Sequence, residues 1–301
     1  MNLRFLHLND GIPSPAGPKN AGLDAATGTY MCMLDSDDYL EPGALGWWYQ
    51  QITAEQADAV IAPVRHEAGG IIKTPRARPC RVRDLDPVKD GLAYATSMRG
   101  LWKSSIDGVG DVRYVPGLST GEDLALGLQM YFSGAKFLFP KNGPAYVLGN
   151  SAEDRVTDRL LPLNDEFRAM AVLPEEWLQN LSVRQRKSIA SKIARTSLIG
   201  AIRRRGPEHD WACKELAAVQ AAAGILEGMA PAYRRAMTAC DSKLLESSLT
   251  ASEGSEFFRN AIKNHRDANL VSKIFTRKLQ HNLDVDSQLR QLLRAALDRR
   301  S

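Results

Sequence analysis

The stretch that decides the fold of this chain is residues 15–42, which read PAGPKNAGLDAATGTYMCMLDSDDYLEP. Its first part predicts a short helix from Lys19 to Thr27. The apolar run 30–34 follows; it is too short for a helix and is typical of a buried strand. Asp35-Ser36-Asp37-Asp38 stands directly after that strand, and Pro42 is well placed to open the next helix. The stretch therefore predicts a helix, a strand, an acidic turn and a second helix.

The rest of the first half continues this alternation of short apolar runs and helical patterns. The predicted elements are strands at 3–8, 58–64, 136–139 and 145–148 and helices at 42–56 and 121–132. Strands that alternate with helices indicate βαβ units, so we expect an α/β domain with a Rossmann-like, mostly parallel sheet.

The second half has a different pattern. Long amphipathic stretches at 182–205, 209–227, 229–249, 254–266, 269–281 and 284–300 follow one another with short Gly, Pro or Ser breaks, which predicts an all-α domain. The net charge is −4 over residues 1–154 and +8 over residues 155–301. We therefore expect two domains, 1–154 and 155–301, that meet different partners.

Composition excludes several classes of protein. Of the 301 residues, 44% are hydrophobic and 25% are charged, which is ordinary for a globular chain. No apolar run approaches the roughly 18 residues of a membrane span, and the first residues do not resemble a secretion signal. The four cysteines are scattered without zinc-site spacing, which is typical of free thiols in a reducing compartment. These features predict a cytoplasmic location.

The acidic turn after the strand at 30–34 has two interpretations. In open α/β sheets, ligands bind beyond the carboxyl ends of the strands, where carboxylates can hold a hard divalent cation. Such a cation neutralises a departing diphosphate. The alternative is a cluster of helix-capping residues, with Asp37 or Asp38 capping a short turn. An Asp-x-Asp pattern alone favours the cap.

A longer pattern around this turn resembles family 2 glycosyltransferases. Pro18-Lys19-Asn20-Ala21-Gly22 resembles the helix start of that family, and it precedes the strand and the Asp-x-Asp-Asp turn at the family's spacing. It is most similar to members that glycosylate bacterial wall polymers. The resemblance implies a GT-A fold and inverting, metal-dependent transfer from a nucleotide-diphosphate sugar to a hydroxyl of a polymer, glycan or protein, with Mn²⁺ or Mg²⁺ as cofactor.

The resemblance also implies donor-side roles. Asp37 takes the position of the metal ligand, and Asp35 that of the residue that contacts the nucleotide-sugar or its metal shell. Lys19 and Asn20 take the place of an Arg-Asn pair that faces the nucleotide and ties the loop. Arg155 follows the last predicted strand, where the family often places a cation near the pyrophosphate; a solvated surface charge is the alternative.

A second block, Gly121-Glu122-Asp123, resembles the Glu-Asp motif of the same family. By position, Asp123 becomes the general base that deprotonates the acceptor hydroxyl, and Glu122 helps to orient the acceptor or the base. The alternative is that both carboxylates favour a helix start. Trp102 lies in a segment on the acceptor side in this family, either as a sugar platform or as a buried core residue.

The resemblance covers about residues 2–150 and begins at what looks like the third strand of a GT-A domain. We therefore expect the nucleotide-binding strands to be missing, and three explanations stay open. The start site lies too far downstream, a partner chain completes the nucleotide site, or the chain is a non-catalytic remnant that acts as a binding or scaffold protein.

Basic clusters mark the helical half, among them Arg203-Arg204-Arg205, Arg234-Arg235 and Arg277-Lys278. Part of this pattern is structural, because cations are favoured at helix C-termini. It also predicts an anionic partner, either a phosphate-containing polymer or a membrane surface touched peripherally. Nucleic acid is the least favoured partner, because no base-stacking aromatic residues accompany the charges. By analogy with family members that carry extra C-terminal domains, we expect this helical half to hold the acceptor or to form a homo-oligomer.

Overall fold

The protein is described here from a computed structural model that covers residues 3–95, 97–107, 109, 111–149 and 160–297. The chain divides into two compact units, Met1–Arg159 and Leu160–Ser301. The first unit is built from helices and strands and the second from helices, which is the order of fold classes that the sequence predicts.

The first unit contains three α-helices and eight short strands in its described residues. The helices are α1 (Ala16–Ala25), α2 (Ala44–Glu55) and α3 (Leu124–Tyr131). The strands are β1 (Tyr30–Met31), β2 (Tyr39–Leu40), β3 (Ala59–Ile61), β4 (Val64–His66), β5 (Ile71–Ile72), β6 (Gly100–Lys103), β7 (Phe137–Leu138) and β8 (Tyr146–Leu148).

These strands form two four-stranded sheets, in the orders β1-β6-β3-β7 and β2-β8-β4-β5. Each sheet has one parallel pair, β3 with β7 and β4 with β8, and two antiparallel pairs. The expectation of a mostly parallel sheet is therefore corrected to a mixed one. Strand direction is set by the partner in the ladder, and the hydrophobic pattern of a single strand does not report it.

The predicted strand at 58–64 is divided between the two sheets. β3 lies in the first sheet and β4 in the second, and Pro63 separates them. Proline has no N–H to give to a ladder, so a strand is readily interrupted there. The carbonyl of Pro63 accepts from the backbone N–H of Tyr146 at 2.8 Å, which ties the crossing point to β8.

The prediction of a strand at 3–8 is wrong. These residues form no strand, and the side chains of Leu3 and Phe5 are 70% and 81% exposed. An apolar run becomes a strand only where another strand offers it a ladder. None of the eight strands in the described part of the first unit pairs with it.

Helix α2 anchors the core of the first unit. Ala44, Trp48 and Ile52 are spaced four residues apart, so they share one face of the helix, and all three are buried. They pack with Val60 of β3 and Leu101 of β6. The indole Nε1 of Trp48 donates to the Pro144 carbonyl at 3.1 Å, which satisfies the one polar atom of this side chain.

The second unit is helical throughout most of its described residues. Its α-helices are α4 (Leu163–Ala171), α5 (Glu175–Asn180), α6 (Val183–Ile193), α7 (Ile199–Arg205), α8 (Cys213–Met229), α9 (Ala239–Leu249), α10 (Glu256–Arg266), α11 (Leu270–Ile274) and α12 (Gln288–Leu297). A π-helical turn, Ala194–Leu198, joins α6 to α7, and 3-10 helices span Pro231–Ala236 and Leu279–Leu283. No helix in the described ranges combines the length and apolar character that crossing a bilayer requires.

The helical pattern of the sequence is confirmed where its end signals are strong. Helix α6 begins at the predicted position because Ser182 forms a capping box: its hydroxyl accepts from the backbone N–H of Gln185, and the Gln185 side chain accepts from the backbone N–H of Ser182 at 2.9 Å. Helix α10 ends at Arg266, the last residue of its predicted stretch.

A buried ion pair joins two helices of the second unit. His265 of α10 and Asp241 of α9 lie 2.7 Å apart, between Nε2 and Oδ1. Asp241 is 9% exposed and His265 is 7% exposed. Burial lowers the pKa of His265, but the hydrogen bond to Asp241 and the contact with Cys240 outweigh burial and raise the pKa to about 9.

Substitution of Gly100 tests whether β6 packs as closely against β3 as the structure shows. A Cβ built on Gly100 would lie 2.0 Å from the Val60 carbonyl oxygen, and the φ of Gly100 is +135°. We expect Gly100→Ala to lower the free energy of unfolding of the first unit by about 2–5 kcal/mol, measured by urea denaturation. Gly46→Ala is the matched control, because no atom lies within 4 Å of its Cβ position, and it should leave stability unchanged or slightly higher. Equal stability of the two variants would contradict this packing.

The Asp241–His265 pair should make the stability of the second unit depend on pH. The folded-state pKa of His265 lies above its ordinary value of 6.5, so the stabilisation is full below about pH 6.5 and is lost as pH rises through about 9. We expect the free energy of unfolding to fall by about 2–3 kcal/mol from pH 6 to pH 9 in urea titrations. In Asp241→Asn this fall should largely disappear; a variant that keeps the full slope would assign it to other groups.

Candidate active site

The acidic turn at residues 35–38 is held in place by the second sheet. The backbone N–H of Asp35 donates to the Tyr146 hydroxyl at 3.2 Å, and that hydroxyl donates to Asp38 Oδ2 at 2.8 Å. The backbone N–H of Gly149 donates to Asp38 Oδ1 at 3.1 Å. Asp38 is thus engaged by β8 and the residue that follows it, and its carboxylate fixes the turn.

Gly149 and Tyr146 hold this turn, and neither is among the site residues predicted from the sequence. A Cβ on Gly149 would lie 1.9 Å from the Asp37 carbonyl oxygen, so a side chain there would displace the turn. Burial raises the pKa of Tyr146, so its hydroxyl keeps the proton that it donates to Asp38. Because both residues lie more than a hundred positions from the turn, the local pattern gives no signal for either contact.

Lys19 joins the two acidic motifs. Its Nζ lies 3.2 Å from Asp35 Oδ1 and 3.1 Å from Glu122 Oε1. Burial alone lowers the pKa of Lys19, but the charges of both carboxylates outweigh it, and the pKa is raised. The ammonium also stands 5.2 Å from the centre of the Tyr114 ring. A permanently charged lysine therefore brings the Asp-x-Asp turn and the Glu-Asp motif into one site.

Asn20 ties the loop before α3 to helix α1. Its Nδ2 donates to the Tyr114 carbonyl, and its Oδ1 accepts from the Tyr114 backbone N–H, both at 2.9 Å. The two bonds use both polar atoms of the amide and fix the ring of Tyr114 beside Lys19. The donor-side role that the resemblance implies for Asn20 stays a prediction.

Asp123 stands at the N-terminus of α3 but does not cap it. Its side chain makes no capping hydrogen bond; instead Asp123 Oδ2 accepts from the Ser97 hydroxyl at 2.5 Å. Glu122, its neighbour, is 7% exposed and is paired with Lys19. Both carboxylates therefore have side-chain partners outside the helix, although their position at its N-terminus is also favoured by the helix dipole. Ser97 lies in a loop without a recognisable motif, and sequence reasoning missed it.

The remaining predicted site residues fall elsewhere. Trp102 lies in β6, is 4% exposed, and lines a cavity of about 160 Å³ together with Met31, Met98 and Met130. Its burial favours the core alternative, and an acceptor role for Trp102 stays a prediction. Arg155 lies outside the described residues.

The turn offers the kind of ligand set that a divalent cation takes. Asp35 and Asp37 provide carboxylate oxygens, which Mg²⁺ and Mn²⁺ prefer, and both residues are only partly buried. In the second unit, ligand atoms of Cys240, Asp241 and His265 lie within 4.8 Å of one another. The hydrogen bond between Asp241 and His265 accounts for that grouping without an ion.

The first unit is similar to known glycosyltransferases. The family model for glycosyl transferase family 2 matches residues 3–103. Two curated relatives are similar: poly(ribitol-phosphate) beta-glucosyltransferase of Bacillus spizizenii is 23% identical over 54% of this chain and 25% of the relative. Poly(ribitol-phosphate) beta-N-acetylglucosaminyltransferase TarP of Staphylococcus aureus is 24% identical over 50% of this chain and 46% of the relative. The chain thus spans less than half the length of these relatives.

Solved structures agree on the fold. Staphylococcus aureus TarS 1-349 in complex with UDP-GlcNAc superposes with a TM-score of 0.68 over 85% of this chain and 73% of that chain, at 16% sequence identity. The same fragment in complex with UDP gives a TM-score of 0.65. At this identity the likeness concerns the fold alone. The chain therefore has a fold similar to that of TarS 1-349, and its residues 3–103 match the family 2 glycosyl transferase model.

Proposed function

We propose that the protein is an inverting, metal-dependent glycosyltransferase that moves a sugar from a nucleotide-diphosphate donor to a hydroxyl group of a polymer. One observation carries the proposal: Lys19 pairs with both Asp35 and Glu122, at 3.2 and 3.1 Å. Motifs that are far apart in the sequence therefore meet around one cation. The capping alternatives need no such meeting.

The donor side is the acidic turn. Asp37 is the proposed metal ligand, with Asp35 beside it, because partly buried carboxylates supply hard oxygen ligands and leave room for phosphate oxygens. A bound Mg²⁺ or Mn²⁺ neutralises the charge that builds up on the departing diphosphate. Lys19 adds a fixed positive charge at the same place. The tether from Tyr146 to Asp38 holds the turn so that these groups are positioned before the donor arrives.

Asp123 is the proposed general base. In inverting transfer, the acceptor oxygen bonds to C1 of the donor sugar on the face opposite the diphosphate, the bond from C1 to the phosphate oxygen breaks, and the acceptor proton goes to a carboxylate. The Ser97 hydroxyl donates to Asp123 Oδ2, which orients the carboxylate. Glu122 is held by Lys19 and fixes the backbone from which Asp123 projects.

The acceptor proposal rests on the relatives. The two curated relatives are named for poly(ribitol-phosphate), and the second half of this chain carries a net charge of +8, which suits a phosphate-containing acceptor. We therefore propose an anionic, hydroxyl-bearing polymer as acceptor. A donor contact by Arg155, a cytoplasmic location and a homo-oligomer formed through the helical half stay predictions.

Replacing the proposed base tests the chemistry. We expect Asp123→Asn to lower kcat for sugar transfer by about 10²–10⁴-fold, because the acceptor hydroxyl loses its proton acceptor, with little change in donor binding. Transfer should be measured with protein expressed from its full coding region, a nucleotide-sugar and a ribitol-phosphate polymer. Asp107→Asn, an exposed position in the same unit, is the matched control. Equal rates for Asp123→Asn and wild type would remove Asp123 from the mechanism.

Replacing the proposed metal ligand tests the donor side without turnover. We expect Asp37→Asn to weaken Mn²⁺ binding in the presence of a nucleoside diphosphate by about tenfold or more, since one charged ligand is lost. Electron paramagnetic resonance measures the free Mn²⁺ that remains in solution and therefore the amount that is bound. Asp107→Asn should bind Mn²⁺ like the wild type. If the wild-type protein binds neither metal nor nucleotide-sugar, the non-catalytic binding alternative replaces the proposed enzyme.

A further inference from the structure

The second unit contains a basic cavity that the proposed reaction does not use. Its volume is about 740 Å³, within the usual range for ligand pockets. Five permanently cationic side chains line it: Arg195, Arg203, Arg204, Arg266 and Lys273. Within the part of the chain that the structure describes, one carboxylate lines the cavity, that of Asp241.

The charge of Asp241 is already balanced. Its Oδ1 lies 2.7 Å from His265 Nε2, and His265 lines the same cavity. The pKa of His265 is about 9, because the hydrogen bond to Asp241 and the contact with Cys240 outweigh burial, so the imidazole is charged at neutral pH. Asp241 and His265 therefore cancel, so the net charge of the cavity depends on the other five side chains and on the acidic partners that two of them have outside the lining.

Several of these cations are held by neutral groups. Arg195 Nη2 donates to the Asp286 carbonyl at 2.8 Å, and Lys273 Nζ donates to the Arg266 carbonyl at 2.8 Å. Carbonyl oxygens position these two cations, and the charge of Arg195 also helps to lower the pKa of Asp241. Arg204 pairs with Glu166, and Arg266 pairs with Asp267, whose side chain is 69% exposed. An exposed pair of this kind is weak and screened by salt, so it leaves Arg266 available to a stronger anion.

Helix geometry explains part of this pattern. Arg203 and Arg204 lie in the last turn of α7, Arg266 in the last turn of α10 and Lys273 in the last turn of α11. The helix dipole favours a cation at each of these ends. It gives no reason for three helix ends to converge on one cavity. Convergence of like charges costs energy unless an anion shares the space.

We propose that this cavity binds successive phosphate groups of the anionic polymer that serves as acceptor. The inference rests on the proposed function for the identity of the polymer. Arginine suits the task because its planar guanidinium binds phosphate oxygens through two parallel hydrogen bonds. Among the described residues the lining contains no Phe, Tyr or Trp, which are the stacking platforms that single-stranded nucleic acid uses. A concave, charged site also differs from the apolar helix face that lies on a bilayer.

The test is binding of a short ribitol-phosphate oligomer to the full chain, measured by calorimetry at low salt without donor sugar. Arg203→Gln/Arg266→Gln removes two cavity cations and spares Arg204, which is tied to Glu166. We expect this variant to bind the oligomer about tenfold or more weakly, because charge-assisted bonds to phosphate are lost. Arg184→Gln/Lys214→Gln, at two exposed positions outside the cavity, makes the same change in net charge and should bind like the wild type.

The proposal would be overturned by no binding to the wild type, by equal loss in the two double variants, or by an arginine double variant that loses binding to phosphatidylglycerol vesicles but still binds the oligomer. Inorganic phosphate should bind much more weakly than the oligomer; equal affinity would restrict the cavity to a single free anion and contradict the polymer. Circular dichroism checks that both variants are folded. Oligomer binding without donor sugar and sugar transfer by Asp123→Asn are separate measurements, so failure of the proposed chemistry and failure of this site give different results.

Discussion

The candidate site depends on one ammonium group. Lys19 comes from helix α1, Asp35 from the turn after β1, and Glu122 from the start of α3, and the Nζ of Lys19 contacts both carboxylates. The two carboxylates carry like charges, which repel each other. Since the pKa of Lys19 is raised, the charge that offsets this repulsion is present throughout the physiological pH range. The site is therefore assembled before any ligand binds, and a cation that arrives there meets carboxylates that are already gathered.

The residue types of the site could be predicted from the sequence, but their supports could not. Asp35, Asp37, Glu122 and Asp123 stand in motifs whose spacing is local, so a single chain is enough to find them. Ser97, Tyr114, Tyr146 and Gly149 act through contacts with residues that are far away along the chain, and such contacts exist only after the sheets have formed. Trp102 is a predicted site residue whose role the sequence alone does not decide. An aromatic residue near an acceptor segment and one in the core have the same sequence pattern, and only its 4% exposure distinguishes them.

The fold also has features that local sequence signals determine and features that depend on distant contacts. Helices α6 and α10 of the second unit lie in their predicted stretches because helical periodicity and capping boxes such as that of Ser182 are local signals, whereas α4 and α5 lie before the first predicted stretch. Strand direction and sheet membership depend on partners. The run at 58–64 is therefore split at Pro63, β6 enters the sheet antiparallel to β3, and residues 3–8 stay outside both sheets despite their apolar character. The side-chain pattern predicts that a segment is buried, but the hydrogen bonds to partner strands decide in which sheet it lies.

The acidic turn connects the two sheets of the first unit. It follows β1 of one sheet, while Asp38 is tethered through the Tyr146 hydroxyl and the Gly149 amide to β8 of the other. Displacement of the turn therefore strains both sheets, and a ligand that immobilises Asp35 and Asp37 restrains both. A ligand bound at this turn therefore affects both sheets of the first unit. Amide hydrogens of β1 and β8, which belong to different ladders, would become slower to exchange together when the turn is occupied.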